Sequence, residues 1–119
     1  MTQQELNELI RTGIIDVGGH TVSHPFLPGL SADQQKDEIH RGKDQLEAFI
    51  DRPVKTFSYP FNCHTRQTER IAREAGFTIA CTGREETVWH KSDPFQATRF
   101  SAEQYDGDEF QRRLLQWLG

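Results

Sequence analysis

Residues 14–24 read IIDVGGHTVSH, a short apolar run that passes through two glycines into a pair of histidines. Ile14, Ile15 and Val17 predict a buried strand, because a brief apolar run bounded by glycine is typical of strands covered on both faces. The two glycines then predict a loop at the carboxyl end of that strand. Loops in this position are where α/β folds build their sites, so the stretch indicates both a fold class and the place of a site.

The predicted loop carries His20 and His24, with three residues between them. If the segment makes one helical turn, two imidazoles at this spacing face the same side and can reach one metal ion. Thr21 and Ser23 are expected to brace the loop through hydrogen bonds to its own backbone. A surface loop that holds two histidines by chance is the alternative that this pattern leaves open.

Helical and extended segments alternate on both sides of this stretch. Apolar spacing and capping residues predict helices over residues 2–12, 31–50 and 65–75 and from about residue 108. Short apolar runs predict strands over residues 14–17, 54–59, 77–81 and 95–100. This order predicts an α/β fold in which parallel strands alternate with helices. The last helix is expected to bury Phe110, Leu114, Trp117 and Leu118.

A second candidate site closes the strand over residues 54–59, where Phe57 to Asn62 read FSYPFN. Pro60 ends strand pairing there and leaves the backbone N–H of Phe61 free to face a ligand. A donor of this kind suits an oxyanion hole. An aromatic strand end that only packs into the core is the alternative.

The composition limits the classes of function. The chain has 119 residues, which predicts a single domain over residues 1–119. Its 18 acidic and 14 basic side chains give a net charge of −4. The chain therefore has no cationic field that would favour binding to nucleic acid or to an anionic membrane. No apolar stretch approaches a membrane span, and the polar N-terminus does not resemble a signal peptide. These features predict a soluble chain without an export signal.

Taken together, the two candidate segments resemble the polysaccharide deacetylase family, also called the NodB-homology or carbohydrate esterase 4 domain. The resemblance runs through IIDVGGHTVSHPFLPGLS (14–31), LEAFIDRPVKTFSYPFN (46–62), REAGFTIACT (73–82) and SDPFQATRF (92–100). It implies a distorted (β/α) barrel of seven strands, of which this chain is expected to form the C-terminal half or so.

The resemblance also implies roles for individual residues. His20 and His24 are expected to bind a divalent metal ion, most commonly zinc, while Thr21 braces the loop. Ser58 and Tyr59 are expected to form one wall of a groove. Pro60 and Phe61 are expected to take part in catalysis, through the Phe61 N–H that faces the developing oxyanion.

The chain departs from the family pattern in three places. An Asp-Asp pair that supplies the general base and the third metal ligand is absent, and Asp16 is expected to lie too far down its strand to replace it. Ser58 stands where many members carry an arginine that orients the base. The Leu-x-His motif of the general acid is not recognisable, and Arg99 stands near its place.

The resemblance therefore implies metal-dependent hydrolysis of N-acetyl or O-acetyl groups on a carbohydrate, with this chain alone weak or inactive. A non-catalytic remnant or binding module is the alternative, since two histidines fall short of the three ligands usual in a catalytic zinc site. A structural zinc site that adds Cys63 and His64 to the histidine pair is a third reading. The expected partners are a carbohydrate and, through an exposed sheet edge, a second copy of the chain.

Overall fold

The computed structural model describes residues 1–119, with four helices and two short strands. The helices are α1 (Gln3–Arg11), α2 (Ala32–Ile50), α3 (Arg66–Glu74) and α4 (Gly107–Leu118). The strands are β1 (Thr56–Ser58) and β2 (Ile79–Cys81), and 3-10 turns lie at Leu27–Gly29, Pro60–Asn62 and Pro94–Gln96. None of the helices has the length and apolar character needed to cross a bilayer.

The first three helices begin at capping boxes. Thr2, Ser31 and Thr65 each accept a hydrogen bond from the backbone N–H three residues later, and the side chain at that position caps the N–H in return. These caps satisfy N–H groups that have no partner within the helix. The predicted starts of α2 and α3 are thereby confirmed.

The sheet is parallel and its carboxyl ends share one edge. β1 pairs with β2, with Phe57 opposite Ala80. A single parallel bridge extends the pairing on each side, to Gly19 beside β1 and to Ala97 beside β2. The predicted α/β fold with parallel strands is confirmed, and the segments that follow Gly19 and β1 emerge side by side.

Two of the predicted strands are wrong. Residues 14–17 form no strand, and Ile14 is 87% exposed. Backbone pairing with β1 begins only at Gly19, whose N–H donates to the Thr56 carbonyl at 2.8 Å. The predicted strand over residues 95–100 begins instead with a 3-10 turn, and only Ala97 bridges to β2. An apolar run needs a neighbour's free N–H and C=O groups along its length to become a strand.

One apolar cluster lies between the sheet and helices α1, α2 and α3. Its twelve buried members are Ile10, Leu27, Ile39, Ile50, Val54, Phe57, Tyr59, Ile71, Ala72, Phe77, Ala80 and Phe95. Each helix therefore turns its apolar stripe toward β1 and β2.

Helix α4 lies outside this core. It starts at Gly107 with Asp106 as its cap, close to the predicted position, but it buries none of its residues. Phe110 is 43% and Leu118 69% exposed, so the predicted burial of this helix is wrong. The spacing of apolar residues correctly indicated an amphipathic helix, but it does not show whether another element packs against the apolar face.

Candidate functional site

The loop from His20 to His24 brings the two imidazole rings together without forming a helical turn. Thr21 has a φ of 68° and His24 a φ of 58°, so two left-handed residues bend the chain sharply between the rings. The Thr21 hydroxyl accepts a hydrogen bond from the His24 N–H at 3.1 Å and holds this bend. The ring centroids lie 4.8 Å apart with an angle of 62° between their planes.

The ring of His20 is oriented by the end of β1. Its Nδ1 lies 2.6 Å from the Ser58 carbonyl oxygen, which can only accept, so Nδ1 carries the proton. In the neutral ring Nε2 is then the unprotonated nitrogen and can ligate a metal ion. Metal-binding histidines commonly donate their other ring nitrogen to a carbonyl in this way.

Glu38, on α2, holds the middle of the histidine loop. Its Oε2 accepts from the backbone N–H groups of Val22 and Ser23, at 3.0 and 2.9 Å, and its Oε1 accepts from the Ser23 hydroxyl at 2.7 Å. Desolvation raises the pKa of the Glu38 carboxyl, but the hydrogen bonds from Ser23 and Val22 and the charge of Arg41 outweigh it. The net pKa lies below its ordinary value.

Gly42 lets α2 approach the same loop closely. A Cβ atom at this position would lie 2.9 Å from the Thr21 carbonyl carbon and 3.1 Å from the Val22 nitrogen. Both neighbours are backbone atoms, so the absence of a side chain sets the distance between the helix and the loop.

The segment after β1 places Phe61 beside the histidines. The ring of Phe61 is 59% exposed and packs edge-on against His24, with 4.6 Å between centroids. Phe61 has a φ of 55° within the turn that Pro60 begins, and its backbone N–H donates to no acceptor in the protein. The N–H is thus free at the same edge of the sheet as the imidazole pair.

Ser58 and Tyr59 have different surroundings. The Ser58 hydroxyl accepts a hydrogen bond from Arg99 Nη2 at 2.7 Å. The ring of Tyr59 is 1% exposed, and its hydroxyl donates to the Phe95 carbonyl. Burial raises the pKa of the Tyr59 phenol, which stays neutral. The exposed aromatic surface beside the histidines therefore comes from Phe61 rather than from Tyr59.

Other candidate ligands do not join the histidines. His64 stacks on Tyr59 at 4.4 Å and its Nε2 lies 3.2 Å from Glu69. Asp16 lies with Pro53 and Lys55 around a cavity at the start of β1, the end opposite Ser58. No group of three His, Cys, Asp or Glu side chains is arranged to hold a metal ion. The third reading, a structural site with Cys63 and His64, has no support in this geometry.

Sequence reasoning missed Glu38 and Gly42 and gave Arg99 no contact with Ser58. Each acts over a long separation in sequence, such as the 41 positions from Ser58 to Arg99. No local spacing signals such contacts. The capping box at Ser31, which fixes where α2 starts, is the nearest signal for Glu38 and Gly42.

Comparison with known proteins identifies relatives along most of the chain. The polysaccharide deacetylase family matches residues 1–80. YxkH of Bacillus subtilis (strain 168), which carries the polysaccharide deacetylase name, is 26% identical over 82 residues. The matched region is 69% of this chain and 29% of YxkH.

Solved structures share the fold. The Streptococcus pyogenes deacetylase PplD, in complex with acetate, matches with a TM-score of 0.87 and 24% identity, over 100% of this chain and 51% of that one. IcaB from Ammonifex degensii matches with a TM-score of 0.78 and 22% identity, over 98% of this chain and 52% of that one. The fold is that of part of a deacetylase (β/α) barrel, and this chain spans about half the length of these two proteins.

The substitution Glu38→Gln is expected to lower the free energy of unfolding at neutral pH by about 1 kcal/mol. An amide accepts through one oxygen, whereas the carboxylate accepts through two. Because the folded pKa of Glu38 lies below the ordinary 4.5, its contribution is present above that pH and is lost as the pH falls through the folded pKa. Urea unfolding at neutral and acidic pH measures both effects.

Asp44→Asn, on the exposed side of α2, is the matched control for Glu38→Gln. It removes one negative charge from the same helix without touching the loop. Equal stability of the Glu38 variant and the parent at neutral pH would contradict this role, as would a difference that persists unchanged in acid.

The substitution Gly42→Ala is expected to destabilise the protein. Alanine at an open helix position stabilises by about 1 kcal/mol relative to glycine, but here its Cβ would press on the backbone of residues 21–22. Gly107→Ala is the control, because a Cβ there meets nothing within 4 Å. Thermal unfolding should give a lower Tm for Gly42→Ala than for the parent, and an equal or higher Tm would refute the close approach.

Proposed function

Because this chain belongs to the polysaccharide deacetylase family, we propose that it serves in metal-dependent hydrolysis of N-acetyl or O-acetyl groups on a carbohydrate, with zinc as the expected ion. The observation that supports this most is the imidazole pair, 4.8 Å apart, in which the Ser58 carbonyl holds His20 by Nδ1. That arrangement leaves Nε2 of His20 available beside the ring of His24.

The two imidazoles are suitable zinc ligands, but they are fewer than the protein ligands usual in a catalytic zinc site. Neutral imidazole nitrogen is a common zinc ligand, and a catalytic site normally has three protein ligands. When bound, such an ion polarises the acetyl carbonyl and lowers the pKa of water. The third ligand of the proposed site has to come from residues other than those beside His20 and His24 in this structure.

The remaining groups of the site bind and orient the acetyl group. The free N–H of Phe61 donates to the acetyl oxygen as negative charge develops on it, which stabilises the tetrahedral state. Pro60 begins the turn that presents this N–H, and the exposed ring of Phe61 covers one side of His24. Thr21 keeps the loop bent by accepting a hydrogen bond from the His24 N–H, and Ser23 does so by donating its hydroxyl hydrogen to Glu38.

A non-catalytic carbohydrate-binding role is the second candidate. One observation favours it: no third His, Cys, Asp or Glu side chain joins the histidine pair in a group that could hold a metal ion, and the nearby Glu38 carboxylate is bonded to the loop itself. A general base commonly contributes about 10²–10⁴-fold to the rate. A site without a general base can therefore still bind a carbohydrate while its rate of hydrolysis is very low.

Residues 1–119 alone are expected to bind zinc weakly and to release negligible acetate from acetylated chito-oligosaccharide. The reason is the missing base and anionic ligand, and adding a family segment that supplies Asp-Asp should restore both properties. Titration calorimetry with zinc and an enzymatic acetate assay measure the two effects.

In the Asp-Asp-supplemented protein, His20→Ala and His24→Ala should each abolish zinc binding and acetate release. His90→Ala, an exposed histidine elsewhere, should change neither. Zinc-dependent turnover by residues 1–119 alone, lost on His20→Ala, would show that the base lies within this chain. Zinc binding unaffected by either loop substitution would remove the proposed metal site.

We also propose that the isolated chain self-associates. Pairing at the Gly19 side of the sheet stops after one bridge, and apolar residues including Ile14, Leu115 and Leu118 are 87%, 64% and 69% exposed. Light scattering should therefore show a dimer or larger assembly, and Ile14→Glu or Leu118→Glu should shift it toward monomer. A monodisperse monomer at high concentration would contradict the proposal.

A further inference from the structure

An open groove of about 600 Å³ lies beside the end of α4, among residues that follow β2. Trp89, which is 71% exposed, and Trp117 both line it. Phe100 stacks on Trp117, with 4.6 Å between ring centroids and 15° between their planes. The proposed catalytic site, at the histidine loop and Phe61, contains none of these residues.

Two of the three carboxylates that line the groove are paired with arginines, and the third, Glu85, has no cation within ion-pair distance. Arg84 lies 2.9 Å from Glu86, and Asp93 lies 2.5 Å from Arg73. The side-chain amides of Gln96 and Gln116 also line the groove and offer both donors and acceptors. A groove with aromatic faces, amide groups and one unpaired carboxylate suits a neutral ligand whose hydroxyls donate hydrogen bonds, and it disfavours an anion.

We propose that this groove binds a neutral sugar residue of the carbohydrate substrate, away from the acetyl group that reacts. The inference rests on the proposed function for the identity of the polymer. The apolar face of a sugar ring packs on an exposed indole, and its hydroxyls exchange hydrogen bonds with the amides. The volume lies within the roughly 300–1,000 Å³ typical of small-molecule sites.

One segment joins the groove to the histidine loop. Thr98 and Phe100 line the groove, whereas Arg99 between them reaches the Ser58 hydroxyl at the carboxyl end of β1. Because Thr98 and Phe100 face the groove while Arg99 reaches Ser58, the groove and the histidine loop lie on the two sides of this segment. A polymer that crosses this segment contacts both places, whereas a single sugar contacts one.

The chain's own fluorescence tests this proposal, because its only two tryptophans both line the groove. N-acetylglucosamine oligomers of increasing length serve as the probe. We expect a blue-shifted and saturable emission change, since a stacked sugar excludes water from the indole, with an affinity that rises with oligomer length.

Trp89→Ala should weaken binding by roughly three- to tenfold, as expected for the loss of one stacking contact. Titration calorimetry measures that loss independently of fluorescence. The exposed indole of Trp89 makes little contribution to the fold, so this variant should remain folded. Phe49→Ala, which truncates an exposed aromatic ring on α2, is the matched control and should bind as the parent does.

His20→Ala separates the groove from the proposed catalytic site. It should leave the fluorescence change with sugar intact, so failure of metal-dependent deacetylation does not remove the groove proposal. Absence of a saturable change with any oligomer would overturn the proposal. Equal sugar affinity of Trp89→Ala and the parent would also overturn it. An emission shift that depends on protein concentration alone would report a second copy of the chain in the groove and would likewise overturn the proposal.

Discussion

Ser58, the last residue of β1, makes three hydrogen bonds on which the arrangement of the site depends. Its N–H donates to the Gly19 carbonyl at 3.0 Å, which sets the histidine loop beside the strand. Its own carbonyl accepts from His20 Nδ1, and its hydroxyl accepts from Arg99. The backbone of one strand residue thus positions the proposed metal-binding ring, and its side chain attaches the segment that leads to the tryptophan groove.

The support on the other side of the loop comes from α2. Glu38 satisfies two backbone N–H groups and a hydroxyl of the loop, and Gly42 allows the helix backbone to lie against residues 21 and 22. The left-handed conformations of Thr21 and His24 are sparsely populated for such residues and persist because these contacts hold them. The loop is therefore shaped by its surroundings and not by its own helical tendency.

Much of this was readable from the sequence, and what was missed depends on parts of the fold that are distant along the chain. Ser31 with Gln34 and Thr65 with Thr68 mark helix starts by local chemistry, and the order of segments placed His20, His24 and Phe61 at one edge of a parallel sheet. Ile14, Phe110 and Leu118 were expected to be buried and are exposed, because an apolar pattern does not reveal whether a covering layer is present. Glu38 and Arg99 act across the fold, where spacing carries no signal.

The proposed metal site depends on the Ser58 carbonyl, which holds His20 with its proton on Nδ1 and leaves Nε2 free to ligate. Long-range ¹H–¹⁵N NMR of ¹⁵N-labelled protein reads this directly, because protonated and unprotonated ring nitrogens differ widely in chemical shift. We expect a His20 ring with its proton on Nδ1 and a zinc-induced shift at Nε2. A His20 ring that carries its proton on Nε2, or that exchanges freely between the two tautomers, would contradict this expectation.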